Sequence, residues 1–134
     1  MKVGQKRWTH SNKAIYNLGY HLIWCPKFRR AILVSEVEKR LQELLLGVAS
    51  ELGIDIKEMQ ILPDHVHLFV KVGPTESPHW IVKQFKGVSS RILRQEFPHL
   101  LKMPSLWTRS YFAESVGHIS QETIEKYIRG QKNK

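Results

Sequence analysis

The sequence predicts an α+β fold of the ferredoxin-like, or RRM-like, kind: an antiparallel sheet with helices on one face and a further C-terminal helix. Two observations carry this expectation. Segments of strand and helix periodicity follow one another as strand, helix, strand, strand, helix, strand, which is the split βαβ order. The length of 134 residues, with 42% hydrophobic and 25% charged positions, suits one globular domain over residues 1–134.

Each element has its own signal. Residues 14–25 are rich in aromatic and branched side chains and end at Pro26, which reads as a strand. The basic turn Lys27-Phe28-Arg29-Arg30 follows. Ser35 and Glu38 have the spacing of a capping box, and Val37, Leu41, Leu44, Leu45, Val48 and Leu52 recur at helical spacing up to Gly53. Residues 54–62 alternate, with Ile54, Ile56, Glu58, Gln60 and Leu62 expected on one side. Pro63-Asp64 then supplies a hairpin turn into a second alternating run, His65 to Val72. Asp64 is read first as a turn residue, with orientation of a histidine as the alternative. After Gly73-Pro74, a helix starts at Ser77 or Pro78 and stops near Glu96, before Pro98. A last strand is expected over residues 107–116, broken by Gly117; Ser120 then caps a short helix over 121–131.

The composition excludes several classes. Six Pro, eight Gly and no low-complexity tract argue against a disordered or fibrous chain, and no apolar stretch approaches the roughly 18 residues of a membrane span. The basic N-terminus lacks the apolar core of a secretory signal. Cys25, the sole cysteine, permits no internal disulfide and fits a reducing cytoplasm. The net charge of +9 suits a polyanion, and without an amphipathic anchor or lipidation motif nucleic acid is favoured over a membrane.

Three constellations could carry chemistry. Val66, Leu68, Val70 and Val72 should face the helices, leaving His65, His67, Phe69 and Lys71 on the open face. Two residues apart on a strand sets the two histidine Cα atoms roughly 6.6 Å apart, so both imidazoles can hold one divalent ion. The alternative is a pair of exposed strand histidines, and a third ligand has to come from elsewhere. On the last helix, Ile124, Tyr127, Ile128 and Gln131 share one stripe. That stripe is either an amphipathic core face or a catalytic one docked beside the histidines. On the second helix, Lys83, Lys86, Ser90, Arg91 and Arg94 share a face with Gly87 and no acid. Its alternatives are a phosphate-binding surface, to which Lys27, Arg29 and Arg30 would add, and a merely solvated face.

In combination these segments closely resemble the HUH-type single-tyrosine transposases of small prokaryotic insertion sequences, the IS-two-hundred and IS-six-zero-five type. The resemblance spans residues 20–30, Pro63-Asp64-His65-Val66-His67, Lys86-Gly87-Val88-Ser89-Ser90-Arg91, the 106–117 strand and Tyr127-Ile128-Arg129-Gly130-Gln131. It implies that His65, His67 and Gln131 bind a divalent metal, Mg²⁺ or Mn²⁺, and that Tyr127 on the appended helix is the nucleophile. It further implies a transposase that cuts and rejoins single-stranded DNA bearing subterminal hairpins through a 5′-phosphotyrosine. A homodimer is also implied, with composite sites in which Tyr127 of one protomer faces His65 and His67 of the other, acting in a prokaryotic cytoplasm. Two rivals remain at this point: a non-catalytic RNA-binding module on the same fold, and a related HUH enzyme such as a replication initiator or a domesticated transposase.

Overall fold

The computed structural model describes residues 18–73, 75–115 and 121–133, with side chains throughout except at 121–124 and 132–133. Expectations for residues 14–17, Pro74, Val116, the Gly117-His118-Ile119 connection and Ser120, and for the side chain of Ile124, lie outside the described residues.

Among the described residues four strands form one antiparallel sheet: β1 (Leu18–Trp24), β2 (Asp55–Leu62), β3 (His65–Val72) and β4 (Phe112–Ser115), in the order β2-β3-β1-β4. Helices α1 (Ser35–Leu52) and α2 (Pro78–Glu96) connect β1 to β2 and β3 to β4, and α3 (Gln121–Arg129) follows β4. Alternation on β1 and β3 buries Leu22, Trp24, Val66, Leu68, Val70 and Val72 completely. Against them pack Val37, Leu41, Leu45 and Val48 of α1 and Ile81, Val82, Phe85 and Leu93 of α2. Trp24 stacks on Phe85 at 5.9 Å and meets Trp107 edge-on at 5.9 Å. Truncating any of these three rings to Ala should cost about 3–5 kcal/mol. Among the described residues no helix is long and apolar enough to cross a membrane.

Three expectations are corrected. Ser35 does not cap α1: it is the helix's first residue, at φ 53°, and Val34 is the N-cap. The Val34 carbonyl takes the amides of Val37 and Glu38, at 3.1 and 3.3 Å, so the amide a capping box would use is already bonded. In β2 the register against β3 shifts between Ile56 and Glu58, where a bulge inserts one residue. Ile56, Met59 and Ile61 therefore pack on the core, while Glu58, Gln60 and Leu62 turn to the other face. The five residues expected on one side are split by that bulge.

The last strand is shorter than the 107–116 expected. Trp107 makes only an isolated bridge with Pro26, and the amides of Lys27 and Thr108 bond to Leu106 and Cys25 carbonyls. Lys86 Nζ then donates to the carbonyls of Thr108 and Ser110, at 2.6 and 3.2 Å. These carbonyls are committed to an ammonium rather than to a ladder, and regular pairing begins only at Phe112. By contrast Ser77 caps α2, accepting from the Trp80 amide at 3.1 Å with Pro78 behind it, and Gly53 ends α1 in the left-handed region at φ 72°.

Candidate active site

The open face of the sheet is a grid set by strand register. His67 lies opposite Gln60 on β2 and Ile23 on β1; Phe69 lies opposite Glu58 and His21; His21 in turn lies opposite Glu114 on β4. Alternation leaves His65, His67, Phe69 and Lys71 half-buried on this face, as the sequence predicts. α3 contributes to the same place: Glu125 and Ile128 line, with Glu58, Gln60, Leu62, His65, His67 and Phe69, a cavity of about 490 Å³.

Both histidines are held by neighbours. His65 Nδ1 lies 2.9 Å from Asp64 Oδ1, which places the other ring nitrogen as the one available for a ligand. Asp64 thus both forms the turn and orients His65. His67 Nε2 lies 3.2 Å from His21 Nδ1, and the His21 ring stacks on Phe69 at 5.0 Å. Burial, followed by the neighbouring His21 and His65, pushes the His67 imidazole below its ordinary value. Neutral imidazole is the form that ligates a metal, so the donor chemistry at these two positions fits a divalent ion. Among the described residues no group of three or more His, Cys, Asp or Glu is placed to hold one.

Tyr127 and Gln131 sit together at a second polar cluster. Ser110 Oγ donates to Gln131 Oε1 at 2.8 Å and lies 3.4 Å from Tyr127 Oη; Thr108 Oγ1 reaches the same Gln131 oxygen at 3.4 Å. The Gln131 amide returns to the Tyr127 carbonyl at 3.4 Å, and Gln131 is only 3% exposed. The Tyr127 ring packs on Phe112 at 5.6 Å. Burial pushes the phenol up to about 12, opposed by the Ser110 hydrogen bond. The shared stripe of Tyr127, Ile128 and Gln131 is therefore docked on the sheet, with Ile128 in the histidine cavity and the Gln131 carboxamide on Ser110.

The cationic residues divide. Lys83, Lys86, Gly87 and Ser90 of α2 line a separate cleft of about 630 Å³ with Lys27, Arg109, Trp107 and Tyr111 among its other walls. Within it Lys86 is committed to the 108–110 backbone, and burial lowers its ammonium to about 8. Arg94 donates to the Met103 carbonyl at 3.0 Å, and Arg29 faces Asp64 and the Ile128 carbonyl. Each of these three is half-buried and spends donors within the protein, unlike the exposed cations around it. Lys83, Arg91 and Arg30 are exposed, Lys27 half-exposed, with Lys27 and Arg30 over the Phe28 ring.

Sequence reasoning missed His21, Ser110 and Thr108. His21 was within reach, because Tyr20, Leu22 and Trp24 point to the core and the alternation leaves His21 on the open face. Ser110 and Thr108 lie in the stretch read as regular strand, where no sequence signal marks a departure from the ladder.

Comparison with known proteins gives the family and the fold. The chain is 37% identical over 123 residues to the ISDra2 transposase TnpA of Deinococcus radiodurans, covering 90% of this chain and 88% of that one. It is 27% identical over 119 residues to the transposase for insertion sequence element IS200 of Salmonella typhimurium, covering 87% and 78%. A crystal structure of a transposase from Deinococcus radiodurans R1 superposes with a TM-score of 0.81 at 36% identity, over 87% of this chain and 92% of the other. A REP-associated tyrosine transposase bound to a REP hairpin shares the fold at a TM-score of 0.55 and 12% identity, over 85% and 64%. Residues 14–131 match the family described as transposase IS200 like, and to that family the chain belongs.

Proposed function

We propose that this transposase cleaves and rejoins single-stranded DNA at the hairpin-bearing ends of an insertion sequence, with Tyr127 as nucleophile. The observation that carries the reading is the docking of α3 on the open face, which brings the tyrosine's helix into the cavity of His65 and His67. Tyr127 Oη gives its proton to water and attacks phosphorus in line; a P–O bond to the phenol forms, the bond from phosphorus to the 3′-oxygen breaks, and that oxygen takes up a proton from water and leaves as a free hydroxyl. The bond energy is retained in the 5′-phosphotyrosine, so a second 3′-hydroxyl can reverse the step and join a new strand.

The chain's own groups prepare the nucleophile. At its ordinary state the buried phenol is protonated, and the Ser110 hydroxyl beside it can turn its proton toward the oxygen as the phenolate develops. His65, His67 and Gln131 would hold Mg²⁺ or Mn²⁺, Gln131 giving up its bond to Ser110 to do so. When bound, the ion supplies charge stabilisation on the phosphate and at the leaving oxygen. Asp64 keeps the His65 ring oriented for this.

DNA is held by the exposed cations Lys83, Arg91 and Arg30, with Ser90 and Lys27 in the lining of the α2 cleft. A REP hairpin occupies the tyrosine transposase that shares this fold, which supports a hairpin as ligand. We assign a homodimer in a prokaryotic cytoplasm, in which α3 of each protomer is exchanged and makes on the partner's sheet, its Arg29 contact included, the contacts it makes here on its own, so that it serves the partner's histidines. The test is incubation of the protein with single strands covering the flanks of its own gene, with Mg²⁺ or Mn²⁺. A covalent protein–DNA adduct that disappears in Tyr127→Phe is the expected result; an adduct that persists in that variant overturns the nucleophile.

A further inference from the structure

We infer that Arg29 is a positioning residue that couples the docking of the nucleophile helix to the orientation of His65. The inference rests on the reading of Tyr127 as nucleophile and His65 as ligand. Arg29 belongs to the 3-10 turn Lys27–Arg29, in which two successive residues with side chains, Phe28 and Arg29, hold left-handed backbone angles of φ 59° and 51°. Residues with a Cβ disfavour that region. The turn is kept there by its surroundings: the Arg29 amide bonds to the Pro26 carbonyl at 2.7 Å, and the Lys27 amide to Leu106 at 2.9 Å.

This conformation sends the guanidinium inward, with its side chain 19% exposed. Nη1 donates to the Ile128 carbonyl at 3.1 Å. Nε lies 3.0 Å from Asp64 Oδ2, an ion pair whose N–H is buried and not aligned as a hydrogen bond. The other Asp64 oxygen, Oδ1, takes His65 Nδ1 at 2.9 Å. One cation therefore touches both the carboxylate that orients His65 and the carbonyl of the residue following Tyr127.

Each contact has a physical reason to matter. Ile128 lies in the last turn of α3, before the chain tightens into the 3-10 turn Gly130–Asn133, where carbonyls carry the negative end of the helix dipole. A guanidinium there anchors the end of the helix nearest the nucleophile. Its planar fork presents separate N–H groups in fixed directions, so it can face Asp64 and Ile128 together; a lysine ammonium on a flexible stem is a single point charge. The 3-10 turn also packs against residues Gly130–Asn133, so the same segment supports α3 beyond its end.

The experiment compares Arg29→Gln and Arg29→Lys with the unaltered full-length protein on hairpin-bearing single strands from its own gene's flanks. Without divalent ion, DNA affinity and its salt dependence are expected to match the unaltered protein in both variants. With Mn²⁺, adduct formation at saturating DNA should slow about 10–100-fold in Arg29→Gln, the usual effect of losing a group that orients a ligand. The DNA concentration giving half-maximal rate should not change, and Mn²⁺ affinity, titrated directly, should fall with the rate. Arg29→Lys should recover part of both. The double variant Asp64→Asn with Arg29→Gln should be little worse than the weaker single variant, because the two act through one contact. A salt slope reduced by about one, with weaker DNA binding, would make Arg29 a phosphate contact and overturn the inference. So would full activity in Arg29→Gln, or lowered thermal stability with rate and Mn²⁺ affinity unchanged. Absence of any Tyr127-dependent adduct in the unaltered protein would instead strike the proposed function itself.

Discussion

Ser110 Oγ donates to Gln131 Oε1 at 2.8 Å while lying 3.4 Å from Tyr127 Oη, so one hydroxyl meets both the phenol on α3 and the carboxamide in the 3-10 turn Gly130–Asn133 just beyond it. Removing it should be felt at each. In Ser110→Ala the buried Gln131 oxygen keeps, among the described residues, the longer Thr108 contact of 3.4 Å, and the phenol loses a hydrogen bond that favours its ionised form. We expect a stability loss of about 1–2 kcal/mol and adduct formation slowed roughly tenfold. Thermal melts and single-turnover adduct assays measure the two effects. A variant with unchanged rate would remove Ser110 from the nucleophile's environment.

The phenol itself gives a pH prediction. Burial raises the Tyr127 pKa above its ordinary 10 to about 12, so the phenolate fraction below that value grows tenfold with each pH unit. If ionisation precedes attack, the rate of adduct formation at saturating metal should climb with a slope near one between pH 7 and 9, without levelling off. A plateau reached below pH 8.5 would contradict a buried phenol as the titrating group. Tyr127→Phe keeps the ring on Phe112, and it should retain hairpin affinity while losing the adduct altogether.

Acid should act through the histidines. The His67 imidazole is lowered from 6.5 by burial and by His21 and His65, so its neutral, ligating form persists below the pH at which an exposed histidine protonates. The part of metal affinity that His67 supplies should therefore persist below pH 6.5 and be lost on further acidification. His65→Ala with His67→Ala, or excess chelator, should abolish cleavage and leave DNA binding largely intact, since exposed cations supply its electrostatic part. Full cleavage in chelator would overturn the metal reading.

The cations separate what was legible in the sequence from what was not. Strand order, both long helices, the Ser77 and Gly53 boundaries and the open-face pair His65 and His67 follow from period and punctuation, which are local properties. The fate of Lys86, Arg94 and Arg29 is not local. A helical wheel places Lys86 among phosphate-binding residues, yet its ammonium is taken by two carbonyls from a segment more than twenty residues away. The bulge at Ile56/Glu58 and the late start of ladder pairing, at Phe112 and not at Trp107, were hidden for the same reason, since each depends on a partner strand or side chain. Gln131 lay on the expected stripe, but its bond to Ser110 needed the fold to be visible.

The division predicts opposite behaviour for two cations on one helix. Arg91→Glu should weaken binding to cognate and unrelated single strands alike and reduce the salt slope, as loss of a phosphate contact does. Lys86→Met should leave the salt slope near its original value and lower thermal stability, because it strips two carbonyls of their donor. Salt titrations of DNA binding with parallel melts decide it. A lowered slope in Lys86→Met would return that residue to the DNA surface.

The assignment of composite sites is tested by mixing defects. Within one chain Glu125 and Ile128 of α3 line the cavity of that chain's own His65 and His67, so the docking surface of α3 fits this sheet. A two-fold dimer can present the same surface to the partner's sheet, since an isologous interface uses each element twice. In a purified heterodimer of Tyr127→Phe with His65→Ala, exchange of α3 gives one site with both defects and one with an intact tyrosine and intact histidines. That heterodimer should cleave, at about half the rate of the unaltered dimer if its two sites act independently. If each α3 instead serves its own chain, every site carries one defect and no cleavage is expected. Complete loss of adduct in the heterodimer, with hairpin binding retained, would place the cleavage step within single protomers and leave exchange of α3 no part in it.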